Sequence, residues 1–371
     1  MNAENKIALT KGIALFAMFF GAGNLVFPLL LGSQAGHDFF PVWLGFIIAG
    51  VGLPFLGVFT ITLFKGDYWK FFSPLTKVLG FLVITFLILI IGPLFATPRT
   101  ETVTFGSMQA LMPGALKNPA AFSALYFLIV FVITVKQSHL TEILGKILGP
   151  IKITVFLILI IAAIWIGHEA TATPPAVIHG FTHSLSIGYN TMDLLAAFFF
   201  GSIIYHAIQL RCHKYNINFE QRGVALTLKS CIIGGLLLGI IYSGFMISAW
   251  FHASALQNID TASLISALAL VVFGQAGNWF VCICIALTCI ATASALTEVS
   301  SHYFYRFIGR GKVPRLVCLI VTLLIMYAMS LLGFDKIIAL ASPILNWLYP
   351  LLILFCVIQL ARYFYQRHKR A

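Results

Sequence analysis

The chain has 371 residues, 60% hydrophobic and 9% charged, and its mean hydropathy of +0.99 excludes an ordinary soluble globular domain. A formal net charge of +12 would suggest a nucleic-acid partner for a soluble protein, so it has to be read through its distribution along the chain. No segment is long and polar enough to bury a core of its own. A single transmembrane domain over 1–371 is expected.

A membrane-spanning helix takes roughly 20 apolar residues, and runs of that order recur along the whole chain. The first covers about 7–32. Lys6 and Lys11 precede it as in a secretory signal, but it continues through Gly23 to Gly32 without a small-residue cleavage site and reads as a retained helix. Its middle carries Phe20-Gly21-Ala22-Gly23-Asn24. Two glycines and an asparagine weaken a helix where no water can serve freed backbone groups, which is tolerated only where the break faces protein or a wet cavity. Runs two to five follow at about 39–64, 76–108, 119–135 and 147–166.

The sixth run, about 181–209, is interrupted by Gly188-Tyr189-Asn190-Thr191-Met192-Asp193. The remaining runs lie at about 223–250, 277–301, 315–332 and 336–364. Ten spans are therefore expected, with breaks in the first and the sixth. Interruptions at corresponding positions of two five-helix halves point to an inverted repeat, about 7–166 and 181–364, since an odd number of spans brings the second half in from the opposite side. A single Gly-x-Gly would read as a close helix contact; the correctly spaced pair, each with an asparagine, reads as a binding site.

With both termini cytoplasmic, 20 of the 23 Lys and Arg fall on the inner side, and only Arg99, Lys117 and Lys336 fall outside. Positive charge retained at the cytoplasmic face explains the basic balance without nucleic acid. The outer connections hold His37, His168, His179, His183 and His252, of which only His179 and His183 share an HxxxH spacing; they read as solvated loop residues and no metal is expected. The seven cysteines lack zinc-type pairs and read as packing residues. Arg99 and Glu101, near the outer end of the third run and two apart, do not face each other on a regular helix and read as interface anchors, with an outer gate as the alternative. Glu298 and His206 read as satisfied structural groups. The absence of HExxH, GxSxG and paired glutamates argues against an enzyme; no soluble output domain is attached for a sensor.

The chemistry of the breaks follows from helix ends. Free N–H groups starting a half-helix suit a carboxylate, and free carbonyls ending the preceding half suit a cation. A zwitterionic amino acid matches both, and the apolar surroundings favour an apolar side chain. Asp193 reads in two ways. With Asn190 as N-cap it falls at N3 and complements the half-helix; as an acid deep in an apolar span it could carry a proton.

Four stretches, FFGAGNLVFP (19–28), GPLFATPRTETVTF (92–105), GYNTMD (188–193) and DKIIALASPILNWLYP (335–350), resemble in order the branched-chain amino acid:cation symporters of the LIVCS type. The resemblance covers helices 1 to 10. It implies an all-α, LeuT-like 5+5 fold in a bacterial inner membrane and uptake of leucine, isoleucine and valine with sodium, or with protons in some members. It implies no cofactor and no obligatory protein partner, only lipid around the bundle; a non-transporting amino-acid sensor is the rival of another class. Carried over to this chain, it implies Gly21, Ala22, Gly23 and Asn24 facing the substrate, with Gly188, Tyr189, Asn190 and Thr191 as the opposite wall. The ion is implied at Asn24, Thr292, Asp193 and the carbonyls of Ala17 and Phe20. Ala291 stands where the family tends to have a threonine, which removes one hydroxyl from that ion set. Members usually carry two further helices after the tenth, whereas the 5+5 core is complete here.

Overall fold

The computed structural model describes residues 2–135, 149–167 and 180–369. Among the described residues all regular structure is helical: α1 (Ala3–Phe19), α2 (Ala22–Gln34), α3 (Phe39–Ile47), α4 (Leu53–Leu63), α5 (Tyr68–Phe72), α6 (Lys77–Leu89), α7 (Ala96–Met108), α8 (Pro119–Val135), α9 (Gly149–Gly167), α10 (Gly180–Tyr189), α11 (Asp193–Lys214), α12 (Phe219–Phe251), α13 (Leu264–Tyr303), α14 (Arg315–Ser330) and α15 (Phe334–His368). Five-residue π turns, Ile48–Gly52 and Ile90–Leu94, join α3 to α4 and α6 to α7. Among the described residues, seven helical stretches are long and apolar enough to cross a membrane, and eight if α1 and α2, which meet at 74°, count as one span. The fourth and ninth runs form helices of 17 and 16 residues.

Lipid as solvent explains the surface. Trp165 is 81% exposed, Trp347 80% and Phe40 67%, which a membrane accommodates and water would not. Inside the helices, hydroxyls return to their own turn: Thr60 donates to Leu56 O at 2.6 Å, Thr227 to Gly223 O at 2.8 Å and Ser248 to Gly244 O at 2.8 Å. This satisfies polar groups that have no water to turn to. At polar connections side chains cap instead, as where Asn218 Oδ1 accepts from the Glu220 and Gln221 N–H groups ahead of α12.

Packing partners are exchanged between the halves. α1 and α2 pack on α12, while α10 and α11 pack on α3 and α4; α7 packs on α13. The α1–α12 crossing is close because both sides are glycine. A Cβ on Gly12 would stand 2.7 Å from Ile233 Cβ, and one on Gly234 3.0 Å from Gly12 O, so small residues let the backbones approach where dispersion is the main attraction between helices.

Several sequence expectations change. The eighth helix begins at Leu264 and not near 277, because Gly274 at φ 65° absorbs the break within one residue and helix resumes on both sides. Lys152, counted among cytoplasmic loop charges, is 2% exposed within α9. His252 is buried at the end of α12 with Nε2 2.9 Å from Ala163 O, not solvated, while His37 and His183 are exposed. The other charges and histidines assigned to connections, Lys136, Lys146, His168, His179 and Arg370, lie outside the described residues, as do 147–148 of the fifth run. The seven cysteines are free thiols, all but Cys318 buried.

Candidate functional site

The first interruption is made by the residues the sequence singles out. α1 ends at Phe19, α2 starts at Ala22, and the Gly21 N–H, which an unbroken helix would send back to the Ala17 carbonyl, goes to Asn24 Oδ1 at 3.2 Å. Asn24 then turns its amide the other way. Its Nδ2 donates to Asp193 Oδ2 at 2.6 Å and to the Tyr242 hydroxyl, and that hydroxyl donates to the same Asp193 oxygen at 3.1 Å. Asn24, Asp193 and Tyr242 are all buried, so one triangle ties α2, α11 and α12 together at the break.

The second interruption spans Asn190 to Met192. Successive turns carry it, with Asn190 N–H to Ile187 O, Thr191 N–H to Gly188 O and Met192 N–H to Tyr189 O at 3.0–3.1 Å. Met192 takes a left-handed conformation at φ 61°, and α11 begins at Asp193. Asp193 is thus the first residue of its helix and not the third. Asn190 does not cap it; the Asp193 N–H instead points at Thr191 Oγ1, 3.4 Å away. The carboxylate, freed from the cap, reaches Asn24 and Tyr242. This corrects the capping expectation: the left-handed residue at Met192 delays the restart of the helix.

A small cavity of about 30 Å³ lies where the two interruptions meet. Gly21, Ala22, Gly23, Asn24, Thr191, Asp193 and Thr292 line it, together with Met18, Phe19, Ile91, Ala96, Arg99, Thr100, Met192, Ala196, Phe200 and Leu296. A space of this size suits a water or two, so an amino acid requires the walls to part. A larger hollow of about 330 Å³ lies on the lipid face of α9 among Ile158, Ile161, Ala162, Trp165 and Ile166 and has almost no polar lining.

The structure thus brings seven of the expected site residues together and leaves five out. Gly188 packs on α3, where a Cβ would meet Phe46 at 3.4 Å, and Tyr189 stacks on Tyr349 with ring centroids 4.4 Å apart. The Asn190 side chain turns to Ser342, whose hydroxyl donates to it at 2.8 Å. The Ala17 side chain faces Gly149, and the Phe20 ring stacks on Phe16 at 5.0 Å. Thr292 stands against Gly21, so close that a Cβ there would lie 3.0 Å from its methyl and 3.2 Å from its hydroxyl oxygen.

Arg99 corrects the sequence reading most. It is 2% exposed, enclosed by the protein: Nη1 donates to the Asn190 carbonyl at 2.5 Å, the guanidinium lies 5.8 Å from the Phe27 ring centre, and Nε has no partner among the described residues. The signal was a lone cation inside an apolar run, which by default marks function. Glu101 is also buried, on another side of α7, where Ser123 donates to it at 2.7 Å. Asp193 and Glu101 are thus both buried acids within apolar runs. Glu298 is satisfied as expected, by Arg315 with contacts of 2.8 and 2.7 Å, and His206 Nδ1 lies 2.8 Å from Ser202 O.

A profile of the family described as branched-chain amino acid transport protein matches residues 4–371. The chain belongs to this family. The branched-chain amino acid permease BrnQ of Escherichia coli K12 is 32% identical over 376 residues, covering all of this chain and 83% of the permease. A Staphylococcus epidermidis protein with a provisional branched-chain amino acid carrier name is 31% identical over 382 residues, 97% of this chain and 83% of that one. Among solved structures, MhsT in complex with L-phenylalanine superposes with a TM-score of 0.53 over 87% of this chain and 78% of its own, at 19% identity. That likeness shows the LeuT-like helical fold. The family consists of multi-pass membrane transport proteins and not of enzymes.

Proposed function

We propose that the chain is a secondary symporter that imports leucine, isoleucine and valine across a bacterial inner membrane with sodium as the coupling ion. The observation that carries this reading is the meeting of two helix interruptions at one cavity. The start of α2 offers the Ala22 and Gly23 amides to a carboxylate, and Asp193 at the start of α11 and Thr191 in the turn before it face the same space. Much of the remaining lining is apolar, from Met18, Phe19, Ile91, Phe200 and Leu296, which suits a branched aliphatic side chain. Ten spans in an inverted repeat fit the exchange of packing partners, since α1 and α2 take the seventh run as α10 and α11 take the second. Cytoplasmic termini fit the charge distribution.

Two oxygens beside the first break support sodium as the ion. The Ala17 carbonyl loses the Gly21 N–H to Asn24, and the Thr292 hydroxyl stands against Gly21. Oxygen donors of this kind suit a hard cation, and the Phe20 carbonyl and Asn24 are the neighbouring candidates. One observation favours a proton instead: Asp193 is a buried acid facing the cavity.

Uptake of labelled leucine into proteoliposomes separates the two. Accumulation under an imposed sodium gradient is expected, with isoleucine and valine competing and lysine and glutamate not. Alanine should compete weakly, because each methylene in an apolar pocket is worth about 1–3 kcal/mol. Uptake that follows a proton gradient without sodium, and that is lost in Asp193→Asn, would move the coupling to the carboxylate; equal competition by lysine would remove the apolar pocket.

A further inference from the structure

We infer that Arg99 and Asp193 form a fixed pair of opposite charges that recognises the zwitterion itself, Arg99 taking the substrate carboxylate and Asp193 its ammonium. The inference rests on the proposed uptake of an aliphatic amino acid and assigns to side chains a recognition that the helix ends alone would leave to backbone amides.

Three observations place the charges. Both side chains are 2–3% exposed, and both line the cavity where the interruptions meet. No direct ion pair forms between them; each is held in place by something else. Asn24 and Tyr242 hold Asp193 through a single carboxylate oxygen. The Asn190 carbonyl holds Nη1 of Arg99, and the Phe27 ring lies near its guanidinium. The third observation is the buried Arg99 Nε, which has no acceptor among the described residues.

A buried donor without an acceptor is costly, and a carboxylate arriving in the cavity supplies one. A guanidinium presents its N–H groups as a planar fork that fits a carboxylate's two oxygens. Ala22 and Gly23, at the start of α2, line the same space, so the helix N-terminus brings positive potential from a second side. The ammonium then falls to Asp193. A site carrying one charge of each sign is neutral without substrate and neutral with it, which lets a zwitterion enter an apolar surround without adding net charge. The same arrangement rejects a molecule lacking either charge, because one member of the pair stays uncompensated.

The test is competition against labelled leucine uptake in proteoliposomes by leucinamide, which lacks the carboxylate, and by 4-methylpentanoate, which lacks the amine. The wild type should reject both. Arg99→Gln should raise the leucine KM by about ten- to hundred-fold, the value of a charge-assisted hydrogen bond, and should let leucinamide compete as well as leucine while 4-methylpentanoate is still refused. Asp193→Asn should show the reverse selectivity. Arg99→Lys, which keeps the charge and loses the fork, should fall between wild type and Arg99→Gln. If Arg99→Gln weakens leucine but still refuses leucinamide as the wild type does, Arg99 only secures the Asn190 carbonyl and the inference fails. If Arg99→Gln does not purify as a folded protein, Arg99→Lys decides: a wild-type KM overturns the inference, and a raised KM with partial admission of leucinamide supports it. A wild type that takes up no leucine would bring down the uptake reading itself, a result separable from selective failure of the variants.

Discussion

Between α1 and α2 the chain turns through 74° over Phe20 and Gly21, whereas between α10 and α11 it uses three residues, Asn190 to Met192, and a left-handed conformation at the last of them. The polar groups released by the two breaks are served differently. At the first, the Asn24 side chain takes the Gly21 N–H with its oxygen and binds Asp193 and Tyr242 with its nitrogen. At the second, the main chain closes turn upon turn, and the buried Asn190 carbonyl is taken by Arg99 from α7. One break therefore hangs on a single side chain, and the other on backbone geometry with an outside cation. The difference gives the two asparagines unequal weights although each sits at a break.

The largest effect is expected from Asn24→Ala. It leaves the Gly21 N–H without its acceptor and removes one of the two donors to Asp193 Oδ2, both in a buried place. Unsatisfied buried groups cost about 1–3 kcal/mol each and more when charged, so a loss of about 3 kcal/mol or more is expected. Reversible unfolding in bicelles measures it, and leucine uptake should fall to background. A variant as stable as the wild type would show that the first break does not depend on this side chain.

Tyr242→Phe should cost less. It removes one hydroxyl bond to Asp193 and the second acceptor of Asn24 while the ring stays against Phe46, whose centroid is 5.1 Å away. A hydrogen bond to a charged group is worth about 1.5–3 kcal/mol, and the same unfolding measurement should place this variant between the wild type and Asn24→Ala. A loss equal to that of Asn24→Ala would mean that the hydroxyl, and not the amide, fixes the carboxylate.

The breaks were legible because Gly21, Gly23 and Gly188 and the two asparagines stand out inside apolar runs, where helix propensity and lipid both oppose them. What meets them was not. Asn24 is 169 residues from Asp193 and 218 from Tyr242, and Arg99 is 91 from Asn190; no local periodicity joins such positions. The restart of α11 at Asp193 was hidden because methionine gives no sign of a positive φ. The early start of α13 was hidden for the opposite reason. The sequence reading starts this run at about 277, just past Gly274, yet only Gly274 leaves the helix and helical structure already begins at Leu264. Arg99 was visible as a residue but not in its surroundings, because the carbonyl it binds belongs to Asn190 in the other half of the chain.

Asn190→Ala should have the smallest effect of the three, and it tests the comparison from the other side. The Asn190 side chain accepts one bond from Ser342 at 2.8 Å and makes a long contact of 3.5 Å to the Ser186 carbonyl. Its service to the site is through the backbone carbonyl, which any residue keeps and which Arg99 would still find. A typical neutral hydrogen bond contributes about 1 kcal/mol, and Ser342 lies on α15, where its hydroxyl can return to its own turn as other buried hydroxyls here do. Asn190→Ala should therefore unfold within about 1 kcal/mol of the wild type and keep its leucine KM and its refusal of leucinamide. If it instead loses as much stability as Asn24→Ala, the second break depends on its asparagine side chain as the first does. If stability holds but leucinamide is admitted, the position of Arg99 depends on that side chain rather than on the carbonyl it grips.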